Sequence, residues 1–222
     1  MNLTLFDLDG TLLPIDSDHS FGDYLIEIGW ADGGEWKRRN DEFYEQYLAG
    51  RLDQVAYIDF ATSAWRHRPL QEALAVRQRF MDERLGPQLL PPARALVAQH
   101  QAAGDLVAIV TATNDFVTAP IAQAFGVEHL IATRLARDAA GRYTGQMDGV
   151  PCLQQGKVVR VGEWLAQRGA QWQDFERITV YSDSINDLPL MERATHPVAT
   201  NPGESLAAVA RERAWPILQL FP

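Results

Sequence analysis

The chain has 222 residues, a formal charge of −9, 46% hydrophobic and 22% charged residues, and a single cysteine. That balance excludes a disordered chain, and no apolar run nears the ~20 residues of a membrane-spanning helix. The dispersed acidic excess argues against a nucleic-acid partner, and the lone Cys152 rules out an internal disulfide or a thiolate zinc cluster.

Residues 3–6 form a short apolar run that ends at Asp7, with Gly10 and Thr11 behind it as turn residues. This is the pattern of a buried parallel strand with carboxylates at its C-terminal end, where open α/β sheets bind ligands. Asp7 and Asp9 interrupt the only early apolar segment, so no secretory signal pattern is present and a cytoplasmic address is expected.

Residues 15–87 show no strand pattern. Apolar positions there recur at helical spacing, as in Phe21, Tyr24, Leu25 and Ile28, so the stretch reads as a helical insertion. It closes through Gly86-Pro87 and Pro91-Pro92. Its aromatics, Trp30, Trp36, Phe43, Tyr44, Tyr47, Tyr57, Phe60 and Trp65, are expected mainly to pack its interior. Strand patterns return at 106–110, before Thr111, and at 178–181, before Ser182 and Asp183. Helices are expected over 93–103, 116–125 and 158–168, each closed by a glycine: Gly104, Gly126 and Gly169. A small hairpin near 142–146, a strand at 197–200, a helix over 204–213 and a last strand at 217–220 complete the series. The expected fold is α/β, a doubly wound parallel sheet built from 1–14 and 88–222, with 15–87 as a separate helical domain.

Asp7 and Asp9 stand at i and i+2, so on an extended strand end both carboxylates lie on one side and can serve one reacting centre. One can attack a phosphoryl group while the other moves protons. Gly10 lets the backbone turn sharply beside them. Asp183 and Asp187 follow a strand and can form a hard oxygen site suited to Mg²⁺. Thr111 offers a hydroxyl at a helix entrance, and Lys157 follows Gly156 at the start of another helix.

These four elements, in this order from Asp7 to Asp187, resemble the motifs of the haloacid dehalogenase superfamily of phosphohydrolases, in the phosphoserine-phosphatase-like branch. The resemblance implies Asp7 as nucleophile, Asp9 as general acid/base, and Thr111 and Lys157 as phosphate holders. It also implies Mg²⁺ held by Asp7, Asp183 and the Asp9 backbone carbonyl, with Asp187 orienting the metal's waters or Lys157. An acid two residues after the nucleophile separates phosphatases of this fold from dehalogenases. The insertion after the first motif matches the position of the family's helical cap.

Phosphoserine phosphatases carry an acid nine positions after the nucleophile that reads the substrate's amino group. Here that position is Asp16, which equally suits a helix cap. Asp18 and His19 follow closely, and Arg66 and Arg68 are candidate carboxylate holders in the insertion. The second motif reads Thr111-Ala112-Thr113-Asn114 where those enzymes usually have Ser-Gly-Gly, so Thr113 and Asn114 are expected to shape the substrate floor. The resulting expectation is hydrolysis of a small phosphomonoester of the phosphoserine or histidinol phosphate kind. A lipid-headgroup phosphatase and a non-catalytic Mg²⁺ or phosphate-binding module on the same fold stand as alternatives.

Overall fold

The computed structural model describes residues 1–221. Six parallel strands form its sheet: β1 (Asn2–Phe6), β2 (Leu106–Asn114), β3 (His129–Thr133), β6 (Arg177–Ser182), β7 (His196–Thr200) and β8 (Ile217–Leu218). Their order is β3-β2-β1-β6-β7-β8, so the chain winds outward from β1 in both directions. The two strands missing from this count, β4 (Leu135–Arg137) and β5 (Tyr143–Met147), make a separate antiparallel hairpin.

Strand alternation sorts the apolar side chains to two faces. Leu3, Leu5, Ala108, Val110, Ile178 and Val180 join one core with α7 (Gln155–Ala166), α8 (Leu188–Met191) and α9 (Glu204–Glu212). Phe6, Val107, Ile109 and Tyr181 join the other, with α5 (Pro91–Ala102) and α6 (Asp115–Ala124). The fold is thus the doubly wound α/β sheet expected from the sequence.

Two differences matter for the site. Strand β2 runs on to Asn114, with a register irregularity against β3 between Val110 and Asn114, so Thr111 lies inside the strand rather than after it. Strand β3 has no counterpart in the sequence pattern, because its short run is followed at once by the hairpin and merges with it in any periodicity.

Between β1 and β2 the chain is helical: α1 (Ser17–Glu27), α2 (Glu35–Leu48), α3 (Gln54–Ser63) and α4 (Leu70–Phe80), the last continuing into a π-helical turn at Met81–Leu85. These helices do not float free of the sheet. Phe21 and Phe80 meet at 5.1 Å, Phe21 also reaches Phe116 of α6, and Trp65 stacks on Phe116 at 4.0 Å while its edge meets Tyr143 of the hairpin. Among the described residues, no helix is long and apolar enough to cross a membrane.

Candidate active site

The C-terminal ends of β1, β2 and β6 converge on one point, because parallel strands of matched register deliver their following residues to the same sheet edge. Asp7 extends the β1 ladder by one bond, its N–H donating to the Tyr181 carbonyl at 2.9 Å. Lys157, only 1% exposed, reaches up from the first turn of α7. Its Nζ donates to Asp7 Oδ1 at 2.8 Å and to Asp187 Oδ2 at 2.7 Å. Ser182 Oγ donates to the same Asp187 oxygen. Burial alone would lower the Lys157 ammonium, but the Asp187 and Asp7 carboxylates raise it above its usual range. The lysine is therefore a fixed cation under Asp7.

Asp7 Oδ2 is buried and has no hydrogen-bond partner. Asp183 stands beside the same loop: Thr11 Oγ1 donates to its Oδ1 at 2.9 Å and accepts from its backbone N–H at 3.0 Å. Burial, and then the Asp7 carboxylate, push the Asp183 carboxyl well above the usual range. A divalent cation with oxygen preference relieves both features, supplying a partner for Asp7 Oδ2 and charge between two acids. Among the described residues no group of three or more His, Cys, Asp or Glu is placed to hold a metal. The carboxylates of Asp7 and Asp183 are hard oxygen donors, which suit Mg²⁺ with its retained waters and substrate oxygens rather than zinc.

Asp9 turns the other way, toward the helices. Its Oδ2 accepts from Thr113 Oγ1 at 2.8 Å and its Oδ1 from the Ser17 N–H at 2.8 Å. Burial, reinforced by the Asp16 carboxylate, pushes the Asp9 carboxyl up to about 7. A carboxyl poised there can both give and take a proton near neutral pH. Thr111 is buried and its Oγ1 accepts from the Thr113 N–H at 3.1 Å, which leaves its own proton to be donated.

The remaining expectations divide. Asp16 caps α1 through the His19 N–H at 2.8 Å and also lines the cleft above Asp7. Asn114 does not line that cleft. It caps α6 through Oδ1, and its Nδ2 clamps both oxygens of Asp18, at 3.0 and 3.1 Å. Arg66 and Arg68 also stand elsewhere: Arg66 pairs with Asp59 against the hairpin, and Arg68 covers Trp30 and pairs with Glu72. Cys152 is fully buried, and its thiol donates to the Ile131 carbonyl.

The cleft above Asp7 has an interior of about 30 Å³. Asp7, Asp9, Asp16 and Asp18 line it together with His19, and no lysine or arginine does. Four rings of the insertion, Phe43, Tyr44, Tyr47 and Tyr57, also line it, which corrects the expectation that the aromatics serve packing. Trp36, Phe60 and Trp65 do pack, Trp36 stacking on Phe60 at 4.5 Å. Sequence reasoning missed two residues here: Gln54 lies in a helical pattern that carries no chemical signal, and Asn201 lies on the loop after β7. Asn201 holds the Gly10 carbonyl through Nδ2 at 3.0 Å while its Oδ1 accepts from Leu220 and Phe221.

The model of the haloacid dehalogenase-like hydrolases matches residues 4–192, which span the constellation from Asp7 to Asp187. The chain belongs to that family. It is a phosphoric monoester hydrolase, as its curated relatives' names indicate. This hydrolase is 40% identical over 217 residues to a histidinol-phosphatase of Neisseria meningitidis, covering 98% of each chain. A solved structure of unknown function from Bordetella pertussis shares 47% identity with the hydrolase over 99% of both chains, with a TM-score of 0.93. A substrate-bound phosphoserine phosphatase shares the fold, at 16% identity and a TM-score of 0.67, covering 97% of the hydrolase and 91% of that chain.

Proposed function

We propose that this phosphatase hydrolyses a small phosphomonoester whose alcohol carries a basic nitrogen and a ring, of the histidinol phosphate kind, using Mg²⁺ and a phosphoaspartyl intermediate on Asp7. One observation carries the substrate class: four carboxylates and four aromatic rings line the cleft, with no lysine or arginine among them. Such a wall repels a second anionic group on the substrate and favours a cation or a flat ring. The name of the Neisseria relative supports the same choice.

In this reading Asp7 attacks phosphorus, the ester P–O bond breaks, and the Asp9 carboxyl gives its proton to the leaving alkoxide. The Asp9 carboxylate then takes a proton from water, whose oxygen attacks phosphorus, breaks the acyl-phosphate bond and restores Asp7. Lys157 and the Thr111 hydroxyl hold phosphoryl oxygens while Thr113 and the Ser17 N–H fix Asp9. Mg²⁺, held by Asp7, Asp183 and the Asp9 carbonyl, would supply positive charge to the transferring group. Asp187 keeps Lys157 in place from below. The helices of residues 15–87 act as a cap that keeps bulk water from the reacting centre.

The test is a kinetic panel with Mg²⁺: histidinol phosphate, O-phosphoserine, glycerol 2-phosphate, phosphatidate and p-nitrophenyl phosphate. The expected result is the highest kcat/KM on histidinol phosphate and no turnover by Asp7→Asn. A higher kcat/KM on glycerol phosphate or phosphatidate would overturn the substrate class. Turnover that survived Asp7→Asn would overturn the mechanism.

A further inference from the structure

Gln54 opens α3, is 7% exposed, and lines the cleft together with Asp18 and Tyr57. Its Nε2 donates to the Ala112 carbonyl at 3.2 Å, between Thr111 and Thr113 of the second motif. A carbonyl can only accept, so this bond fixes which end of the amide is nitrogen. The Ala112 carbonyl is itself anchored, accepting from Thr133 Oγ1 at 2.8 Å.

The other end of the amide is the anomaly. Gln54 Oε1 is buried and has no partner. A buried acceptor left unpaired is costly, and native proteins rarely keep one without use. The neighbouring carboxylates cannot satisfy it when ionised, because they hold no proton. A donor that arrives in the cleft can.

We propose that Gln54 Oε1 is a specificity-determining acceptor for an N–H group on the alcohol portion of the substrate. The assignment rests on the phosphatase reading above and divides its labour. Asp16 and Asp18 select positive charge, which acts at a distance and without direction, whereas the tethered amide selects a donor at one place and angle. A site built around a hydrogen bond rejects an analogue lacking the donor far better than an apolar wall can, because rejection leaves the buried acceptor unpaired. The tether also lets the cap helix report to the second motif: whatever bonds to Oε1 is held at a fixed place relative to Ala112.

The experiment measures kcat and KM for histidinol phosphate, O-phosphoethanolamine and p-nitrophenyl phosphate in the wild type, Gln54→Leu and Gln54→Glu. Gln54→Leu should lower the preference for histidinol phosphate over p-nitrophenyl phosphate about 10-fold or more, chiefly through KM, the scale of one lost bond to a charged donor. Gln54→Glu keeps an acceptor and should lose less of that preference. A parallel loss on O-phosphoethanolamine assigns the donor to an ammonium, and a loss confined to histidinol phosphate assigns it to the ring; both support the acceptor role. Equal proportional losses on all three substrates would overturn it and leave Gln54 as a tether for α3 alone. Calorimetry with L-histidinol separates this idea from the function it rests on. A wild type that turned over no phosphomonoester would sink the phosphatase reading, while an L-histidinol affinity unchanged by Gln54→Leu would sink the acceptor.

Discussion

A Cβ placed on Gly10 would stand 2.6 Å from Cγ of Asp183. Gly10 also has φ +75°, in the left-handed region, so an alanine there meets strain and collision together. Gly10→Ala should displace the Asp183 carboxylate while leaving the sheet intact. The expected outcome is a Mg²⁺ requirement raised by at least about 10-fold and circular dichroism like the wild type; about 1.4 kcal/mol lost from the ion's binding suffices for that change. An unaltered Mg²⁺ titration would show that the loop yields without moving Asp183.

Asp9 sets a second expectation, about pH. A general acid must be protonated, so with an alkyl phosphate the rate should fall as pH rises through the Asp9 value of about 7. p-Nitrophenolate leaves without a proton, and its release should lack that limb. Asp16 raises the Asp9 carboxyl, second to burial, so Asp16→Asn should move the limb toward lower pH. Asp9→Asn should lower turnover of the alkyl ester by ~10²–10⁴. Superimposable pH profiles for the two substrates would remove Asp9 from this role.

Lys157 pairs with two buried carboxylates at once. Removing it leaves both uncompensated, a loss that typically costs about 3–5 kcal/mol. Lys157→Met should therefore lower the urea midpoint of the metal-free protein markedly, and adding Asp187→Asn should restore part of the loss. Additive effects of the two changes would mean that the pair does not act as a unit.

Asp18, in the first turn of α1, is buried and clamped by Asn114, and burial raises its carboxyl to about 6. Its folded value lies above the ~3.9 of an unfolded chain, so the native state holds the extra proton between the two. The stability this proton brings is complete below about pH 4 and is lost as pH rises through 6. Asp18→Asn removes that dependence. Relative to wild type, the metal-free variant should gain about 1–3 kcal/mol in unfolding free energy between pH 4 and pH 8. A constant difference across that range would contradict the sign.

Cap and sheet are pinned on the far side of the cleft by Asn186. Its Nδ2 donates to the Tyr47 carbonyl at 2.9 Å, and its Oδ1 accepts from Gln154 Nε2, which also donates to the Gly50 carbonyl. Asn186→Ala cuts the centre of this latch. Hydrogen exchange at residues 47–52 should rise about 10-fold, the scale of one or two lost hydrogen bonds, with KM rising alongside. Unchanged exchange there would show that aromatic packing alone holds the cap closed.

The sequence by itself determined five of the six strands of the sheet and the order in which chemistry-bearing residues reach its edge. Strand alternation, C-cap glycines and the Asp7-Leu8-Asp9-Gly10-Thr11 string are local signals, complete within a few residues. They therefore survive without any knowledge of neighbours in space. Tertiary structure alone decided who meets whom. Lys157 finds Asp7 across 150 positions and Thr11 finds Asp183 across 172, distances over which no periodicity speaks. The same holds for the cleft wall. Asn114, expected on the substrate floor, is drawn off to clamp Asp18, and Arg66 and Arg68 turn to the hairpin and Trp30. Gln54, a helix-entry residue with no motif around it, becomes a cleft residue with an orphan oxygen. Only packing of α3 against the end of β2 brings that amide to the Ala112 carbonyl and leaves its other end without a hydrogen-bond partner.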